Sequence, residues 1–169
     1  MDQRQLPEDF KEFIRFFNKN EVCYLLVGGW ATGLYGHPRA TKDIGFLVAT
    51  DDENLEKLKS ALSDFGAPSL DLEPFKENGS VYRMGRSPIQ IDSINHADGI
   101  DIRDCLTRRK VIVVDGVEVI IISKEDLIAN KKACGRLQDL ADVEKLSWVS
   151  GRVDFHRSGI TLVAGQGSG

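Results

Sequence analysis

The sequence has few cysteines, no long apolar run and no familiar zinc or phosphate-loop motif. Its three cysteines, Cys23, Cys105 and Cys134, are odd in number and far apart, so they fit neither a disulfide framework nor a CxxC metal site, and we expect buried thiols. No apolar run approaches the roughly 18 residues that span a bilayer. The first residues lack the apolar segment of a signal peptide. We therefore expect a cytoplasmic protein that makes no membrane contact.

Two classes of site are also absent from the sequence pattern. The three histidines show no metal-ligand spacing with cysteine, so no zinc site is predicted. There is no Gly-x-x-x-x-Gly-Lys-Ser/Thr string, so a phosphate site, if present, is not a Walker loop. The net charge of -4 argues against broad, nonspecific binding of nucleic acid.

The composition is that of a globular domain. The chain has 169 residues, of which 41% are hydrophobic and 28% charged. We predict one domain over residues 1–150. Residues 151–169 are predicted to be a less regular C-terminal tail. In it, ITLVA could be a short strand or a docked tail, and the final AGQGSG has the composition of a flexible linker.

Alternating patterns predict a mixed α/β (α+β) fold. Residues 6–20 carry phenylalanines at helical spacing, and residues 22–27 form an apolar run typical of a buried strand. Further predicted strands lie at 43–49, 80–84 and 88–94, followed by a hairpin, 111–114 with 117–122, across Asp115-Gly116. Helices are predicted at 29–35, 51–65 and 102–106, and a C-terminal helical pair begins at the capping residue Ser123. Residues 67–79 are predicted to be mainly loop.

The C-terminal pair is divided by Gly135. The first helix places Leu127, Lys131 and Cys134 on one face. The second, over about residues 136–149, has four apolar residues on one side: Leu137, Leu140, Ala141 and Trp148.

The stretch from 27 to 48, VGGWATGLYGHPRATKDIGFLV, has the layout of a phosphate site. An apolar strand ends at Gly28 and Gly29, which open a helix, and a carboxylate returns at Asp43 on the next strand. Glycines let a backbone approach a ligand closely, and a helix N-terminus offers unpaired N–H groups. A carboxylate nearby could hold a divalent cation against the phosphate.

Three polar residues stand out on otherwise apolar elements: Asp43, Asp92 and Lys131. Each has a structural alternative. Asp43 could cap a turn or pair with an arginine, Asp92 could be a structural residue within its strand, and Lys131 could lay its stem over the core and extend its ammonium to water. Taken together with the glycine turn, they suit one task, which is to hold a nucleoside triphosphate with magnesium.

These residues resemble the signature of the DNA polymerase β-like nucleotidyltransferase superfamily. The R-x-T-x-D motif of Arg39, Thr41 and Asp43 is similar to that of a bacterial minimal-nucleotidyltransferase branch that includes toxin-like members. IQIDSIN resembles the strand that supplies a third carboxylate, here Asp92, and SKEDLIANKKACGRLQDLADVEKL resembles the branch's C-terminal helices. Within those helices, Lys131, Arg136, Asp139 and Asp142 match recurrent positions.

The resemblance implies a nucleotidyltransferase fold, a mixed twisted sheet with flanking helices. It implies Asp43 and Asp92 as catalytic and metal-binding residues for Mg²⁺ or Mn²⁺, with Asp92 as the general-base candidate. The nucleoside triphosphate (NTP) would be bound by a set of five residues: Gly28, Gly29, Arg39, Thr41 and Lys131. The reaction would transfer a nucleoside monophosphate (NMP) to a hydroxyl acceptor and release pyrophosphate.

Gly45 departs from the resemblance. The family's second carboxylate, which bridges two magnesium ions, should stand at this position. Its loss should lower the rate on the order of a thousandfold or more. Three explanations are open: a natural pseudoenzyme, an inactivating substitution, or a carboxylate supplied from a loop.

Three hypotheses follow. The protein could be a metal-dependent nucleotidyltransferase, impaired by Gly45. It could instead be an inactive nucleotide-binding or protein-partner module, for example in a toxin–antitoxin system. Alternatively it could be purely structural, with Asp43 and Lys131 in internal salt bridges. A protein side chain, a tRNA end and a small-molecule hydroxyl are all compatible acceptors.

Overall fold

A computed structural model describes residues 5–41, 43–77, 79–86, 88–148 and 160–163. Its centre is a seven-stranded mixed sheet in the order β3-β4-β2-β1-β6-β5-β7. The strands are, in chain order, β1 Tyr24–Val27, β2 Asp43–Val48, β3 Val81–Arg86, β4 Ile89–Ile94, β5 Lys110–Val114, β6 Val117–Ile121 and β7 Ile160–Leu162. The mixed α/β class predicted from the sequence is therefore confirmed.

Seven helices accompany the sheet in these described ranges. They are α1 Glu8–Lys19, α2 Gly28–Leu34, α3 Asp52–Phe65, α4 Leu72–Phe75, α5 Ile102–Thr107, α6 Lys124–Cys134 and α7 Leu137–Trp148. Helix α4 lies within the stretch predicted to be loop, where Asp71 caps it by accepting from the Glu73 N–H. Within these ranges, every helix is too short or too polar to cross a bilayer.

The aromatic stripe of α1 forms the middle of the core. Phe13 lies with its ring centroid 4.3 Å from that of Phe17 and 5.2 Å from those of Phe46 and Phe65. Such ring pairs add about 0.5–1.5 kcal/mol each beyond their buried area. The sequence prediction of a buried phenylalanine face is confirmed.

Strand register places the polar residues of three strands beside each other. β2 runs parallel to β4, so that Asp43 pairs with Gln90 and Gly45 with Asp92. β3 runs antiparallel to β4 on its other side. Along β2, Asp43 and Gly45 lie on one face, while the opposite face is fully buried, as alternation predicts.

Local sequence signals also predicted the hairpin turn and the start of α6, and both are confirmed. Asp115 and Gly116 both have positive φ, 51° and 79°, as a two-residue turn between β5 and β6 requires. Ser123 caps α6 by accepting from the Asp126 N–H at 3.1 Å. β7 pairs with β5, so the short strand, one of the two alternatives for ITLVA, is confirmed. The remainder of the predicted tail, residues 151–159 and 164–169, lies outside the described ranges.

The expectation that all three cysteines are buried is wrong. Only Cys105 is buried, since Cys134 is half-buried and Cys23 is exposed. Cys23 stands between buried Val22 and Tyr24, and its backbone is fixed by Asn54, so its side chain faces outward. The apolar side predicted for α7 faces outward, with Leu137 89% exposed, whereas Asp139, Asp142 and Leu146 are buried.

Candidate nucleotide-binding cleft

A cleft opens where β1, β2 and β4 face the α6–α7 pair. It consists of two adjoining cavities of about 400 and 380 Å³, which share six lining residues: Gly28, Gly29, Asp43, Asn130, Cys134 and Arg136. We name the first the cationic lobe, because Arg39, Lys131 and Arg136 line it. We name the second the carboxylate lobe, because Asp43, Asp92 and Asp98 line it. Each of the seven site residues predicted from the sequence lines one lobe or both.

The two glycines at the end of β1 serve different purposes. Gly28 has a φ of +75°, which L side chains rarely adopt, and no atom lies within 4 Å of where its Cβ would be. A Cβ at Gly29 would lie 2.3 Å from the Thr41 Cγ2. Gly29 is therefore the point where the turn bearing Arg39 and Thr41 packs against the start of α2. The predicted contact of both glycines with phosphate stays a prediction.

Asp142 anchors two cations of the cationic lobe. Lys131 donates from Nζ to Asp142 Oδ2 at 2.8 Å, and Arg39 donates to both carboxylate oxygens, at 3.2 and 3.0 Å. Gln138 adds a further hydrogen bond to Oδ1 at 3.0 Å. Burial alone would raise the pKa of Asp142, but the hydrogen bonds from Lys131 and Arg39 outweigh it, so that the pKa lies below its ordinary value.

Asp139 plays the same part for Arg136. Arg136 Nε donates to Asp139 Oδ2 at 2.7 Å, and Lys131 Nζ lies 3.6 Å from the other oxygen. Three cations thus face two carboxylates, which leaves the ionic cluster with one net positive charge. Lys131 does not extend to water, because only 3% of it is exposed. The alternative that Lys131 covers the core with its ammonium in solvent is therefore wrong.

The carboxylate lobe contains the two predicted catalytic residues. Asp43 is half-buried and lies diagonally across from Asp92, with Cα atoms about 8 Å apart from strand spacing and rise. Burial, and then the charge of Asp92, raises the pKa of Asp43, while Arg83 and Arg136 act in the opposite direction. Asp92 is 5% exposed and accepts two hydrogen bonds from Arg83. The two carboxylates are therefore close enough to influence each other.

The residues present fit one divalent cation better than two. Asp43 and Asp92 supply oxygen donors. Asp98 lines the same lobe, but no group of three side chains placed to hold a metal ion occurs among the described residues. At Gly45, a Cβ would meet only Val27 Cγ2 at 3.6 Å, which is ordinary contact. The position has room for the side chain that the resemblance expects there.

A buried hydroxyl marks the cationic lobe as well. Thr41 Oγ1 has no hydrogen-bond partner within the described part of the chain. An unpaired buried hydroxyl costs about 1–3 kcal/mol, so it points to a partner that a ligand or water would supply. Cys134, which lines both lobes, has its pKa raised by burial and then by Asp139, and it therefore stays a thiol near neutral pH.

Sequence reasoning assigns no role to four residues that this cleft depends on. Arg136, Asp139 and Asp142 only match recurrent positions of the resemblance, and Arg83 matches none. The two aspartates had a usable signal: they stand three residues apart on α7, opposite its apolar side, and follow Lys131 and Arg136. Arg83 had no such signal, because its position depends on the β3–β4 register.

Comparison with solved structures identifies the fold. The chain is similar to the crystal structure of lincosamide antibiotic adenylyltransferase LnuA with lincomycin bound, with a TM-score of 0.58 and 17% identity over 86% of this chain and 98% of that one. It is also similar to an antigenic nucleotidyltransferase-like protein from Paracoccidioides brasiliensis, with a TM-score of 0.50 and 15% identity over 81% and 73% of the two chains. No protein-family profile and no curated protein sequence matches the chain. The predicted nucleotidyltransferase fold is confirmed.

Proposed function

We propose that the protein binds a nucleoside triphosphate in the cleft and transfers its NMP group to a hydroxyl acceptor, releasing pyrophosphate. The observation that carries this proposal is the adjacency of the two lobes: a cluster of three cations lies beside a pair of carboxylates, with Asp43 lining both cavities. The fold is that of nucleotidyltransferases. The sequence signature, which places Arg39, Thr41 and Asp43 together, supports the same activity.

The cationic lobe suits the triphosphate. Arg39 and Lys131 would each keep donors for phosphate oxygens beyond those given to Asp142, because a guanidinium has five N–H groups and an ammonium three. Asp142 fixes both cations before the ligand arrives, which lowers the entropy lost on binding. Arg136 completes the lobe on the side of Asp43.

The carboxylate lobe suits the reacting hydroxyl. Asp43 and Asp92 would hold one Mg²⁺ or Mn²⁺, which would neutralise phosphate charge when bound. Asp92 is the candidate general base, and a proton acceptor here must lie within about 3 Å of the attacking oxygen. Asp92 now accepts from Arg83 through both oxygens, so it would have to release one of them.

The acceptor is proposed to be a small hydroxylated molecule. The carboxylate lobe encloses about 380 Å³, which is within the range of small-molecule sites. The neighbour LnuA acts on lincosamide antibiotics and carries lincomycin. A lincosamide is therefore the first acceptor to assay, with a tRNA end and a protein side chain as the other classes.

A second candidate function is nucleotide binding without transfer, as in a toxin–antitoxin component or another partner-binding module. Gly45 favours it, because the position in register with Asp92 has no carboxylate. Under this proposal the protein would bind NTP through the cationic lobe and release no pyrophosphate.

One experiment separates the two candidates. Pyrophosphate release is measured with each of the four NTPs, Mg²⁺ or Mn²⁺ and each acceptor class, for the natural chain, for Gly45→Asp and for Gly45→Asn. We expect the rate of pyrophosphate release to be on the order of a thousandfold higher in Gly45→Asp than in Gly45→Asn, because asparagine matches aspartate in size but not in charge. Calorimetry with each NTP runs in parallel.

The outcomes are distinct. Binding by the natural chain with release only from Gly45→Asp supports a transferase impaired at Gly45. Binding by all three chains without release supports the nucleotide-binding module. No binding by any of them rejects both candidates.

A further inference from the structure

Arg83 lies directly beside Asp92, on the side away from Gly45. In the register of three neighbouring strands, Gly45, Asp92 and Arg83 form one row across the sheet. Neighbouring strands lie about 4.8 Å apart, so each is the immediate neighbour of Asp92. Of the two neighbours of Asp92, one is therefore Gly45, where the resemblance expects a carboxylate, and the other is Arg83, which carries a guanidinium.

The Arg83 guanidinium engages the whole carboxylate of Asp92. Its Nε donates to Oδ1 at 2.9 Å, and its Nη2 donates to Oδ2 at 3.1 Å. Gln90 Nε2 donates to the same carboxylate, at 3.3 Å from Oδ2. A paired fork of this kind is the strongest arrangement that a carboxylate makes with a side chain. Both oxygens of the Asp92 carboxylate thus already accept from a cationic donor.

Burial makes a cationic partner necessary for Asp92. Its side chain is only 8% exposed, and a buried carboxylate without a partner is strongly destabilising. The Arg83 side chain is 59% exposed, so its guanidinium has an open route to solvent. This distinguishes it from Lys131, whose side chain is 4% exposed.

We infer that Arg83 is a built-in counter-ion for Asp92 and competes with a divalent cation for that carboxylate. A metal ion binds both carboxylates of the lobe only when the Arg83 guanidinium turns away. Metal affinity is thereby set by a residue that is not itself a ligand. The inference rests on the proposed function for the assignment of Asp43 and Asp92 as metal ligands.

The test measures Mn²⁺ binding in the absence of nucleotide and acceptor. Free Mn²⁺ is followed by electron paramagnetic resonance during titration of the natural chain, Arg83→Gln, Arg83→Lys and Arg86→Gln. Arg86 is an exposed residue of the same strand, on its other face, so Arg86→Gln matches the change in charge without touching Asp92. We expect Arg83→Gln to bind Mn²⁺ about tenfold more tightly than Arg86→Gln.

Arg83→Lys covers the case in which Arg83→Gln does not fold. Lysine keeps the charge but offers no paired fork, so we expect an Mn²⁺ affinity between those of the natural chain and Arg83→Gln. Thermal unfolding of each variant verifies that the folded protein was titrated. An Mn²⁺ affinity in Arg83→Gln that is no higher than in Arg86→Gln overturns the inference, as does a failure of both Arg83 variants to gain affinity.

Failure of the proposed function would be visible separately. If the natural chain does not bind any NTP but Arg83→Gln binds Mn²⁺ more tightly, the competition between Arg83 and the metal ion is supported and the proposed transferase function is rejected. If the protein binds NTP but Mn²⁺ affinity does not change when Arg83 is replaced, only the inferred competition between Arg83 and the metal ion is rejected.

Discussion

Helices α1 and α7 are each twelve residues long, and they bury opposite kinds of side chain. α1 buries Phe10, Phe13, Ile14 and Phe17 against the sheet, whereas α7 buries Asp139, Asp142 and Leu146 and leaves Leu137, Leu140 and Trp148 exposed. The α1 interface is stabilised by the loss of apolar surface from water. The α7 interface is held by carboxylates that need cations from three other points of the chain.

The difference shows what each helix contributes. Buried ion pairs are weak sources of stability, because desolvation of both charges offsets most of their attraction. Apolar side chains of similar volume would hold α7 equally well or better. An ionic interface here is explained if Asp142 and Asp139 are kept to position Arg39, Lys131 and Arg136 in the cleft. α1 then serves the fold, and α7 serves the proposed site.

The largest expected effect comes from breaking each interface at its centre. Asp142→Ala should lower the free energy of unfolding by about 3–5 kcal/mol, because it leaves Lys131 buried with only Asp139 at 3.6 Å. Phe13→Ala should cost a similar 3–5 kcal/mol through the cavity it creates. Urea unfolding at neutral pH measures both.

A double substitution separates the two helices. Lys131→Met with Asp142→Leu removes the buried ammonium together with its nearest carboxylate. Arg39 also loses Asp142, but its side chain is 28% exposed and can reach water, so most of the lost stability should return. NTP affinity should nevertheless fall about tenfold, because a charged donor to phosphate is gone. Phe13→Ala should leave NTP affinity in the folded protein unchanged. Full NTP affinity in the double variant would contradict the assignment of Lys131 to the phosphates.

A smaller effect is expected from pH. The pKa of Asp142 is below its ordinary value in the folded protein, so its ionised form favours folding. That contribution is fully present above the ordinary carboxyl pKa of about 3.9 and is lost as the pH falls through the lower, folded-state pKa. The difference in unfolding free energy between the natural chain and Asp142→Asn should therefore be constant from pH 7 to 5 and shrink below about pH 4.

The control for this titration is Phe13→Ala, whose difference from the natural chain should not vary with pH. The comparison between chains is needed because Asp43, with its raised pKa, acts in the opposite direction: its ionised form disfavours folding, and its protonation at lower pH removes that cost. A difference for Asp142→Asn that stays constant down to pH 3 would mean that Asp142 is not ionised against Lys131 and Arg39.

How much of this could be predicted from the sequence depends on the range of the interaction. The α1 stripe, the Asp115-Gly116 turn and the Ser123 cap are set by residues within a few positions of one another, and all three are confirmed. The family signature also brought together residues that line one cleft. These are features in which local pattern and fold agree.

The ionic cluster and the Arg83–Asp92 pair could not be derived in this way. Arg39 and Asp142 are 103 residues apart in the chain, and nothing local identifies one as the partner of the other. The facing of Arg83 toward Asp92 depends on strand register, where a slip of one residue would turn Arg83 to the other side. For α7, the apolar side predicted by periodicity is the exposed one, because long-range ion pairs hold the opposite side inward.

The smallest expected effect tests that outward side directly. Leu137 and Leu146 lie on the same helix, with 89% and 0% of their surface exposed. The same substitution, leucine to alanine, therefore compares an exposed and a buried position. Leu146→Ala should cost about 2–5 kcal/mol, and Leu137→Ala should stay within about 0.5 kcal/mol in urea unfolding. If Leu137→Ala instead cost more than about 1 kcal/mol, the outward side of α7 would be covered in solution. α1 and α7 would then differ in what covers their apolar sides, and not in whether they bury an apolar side.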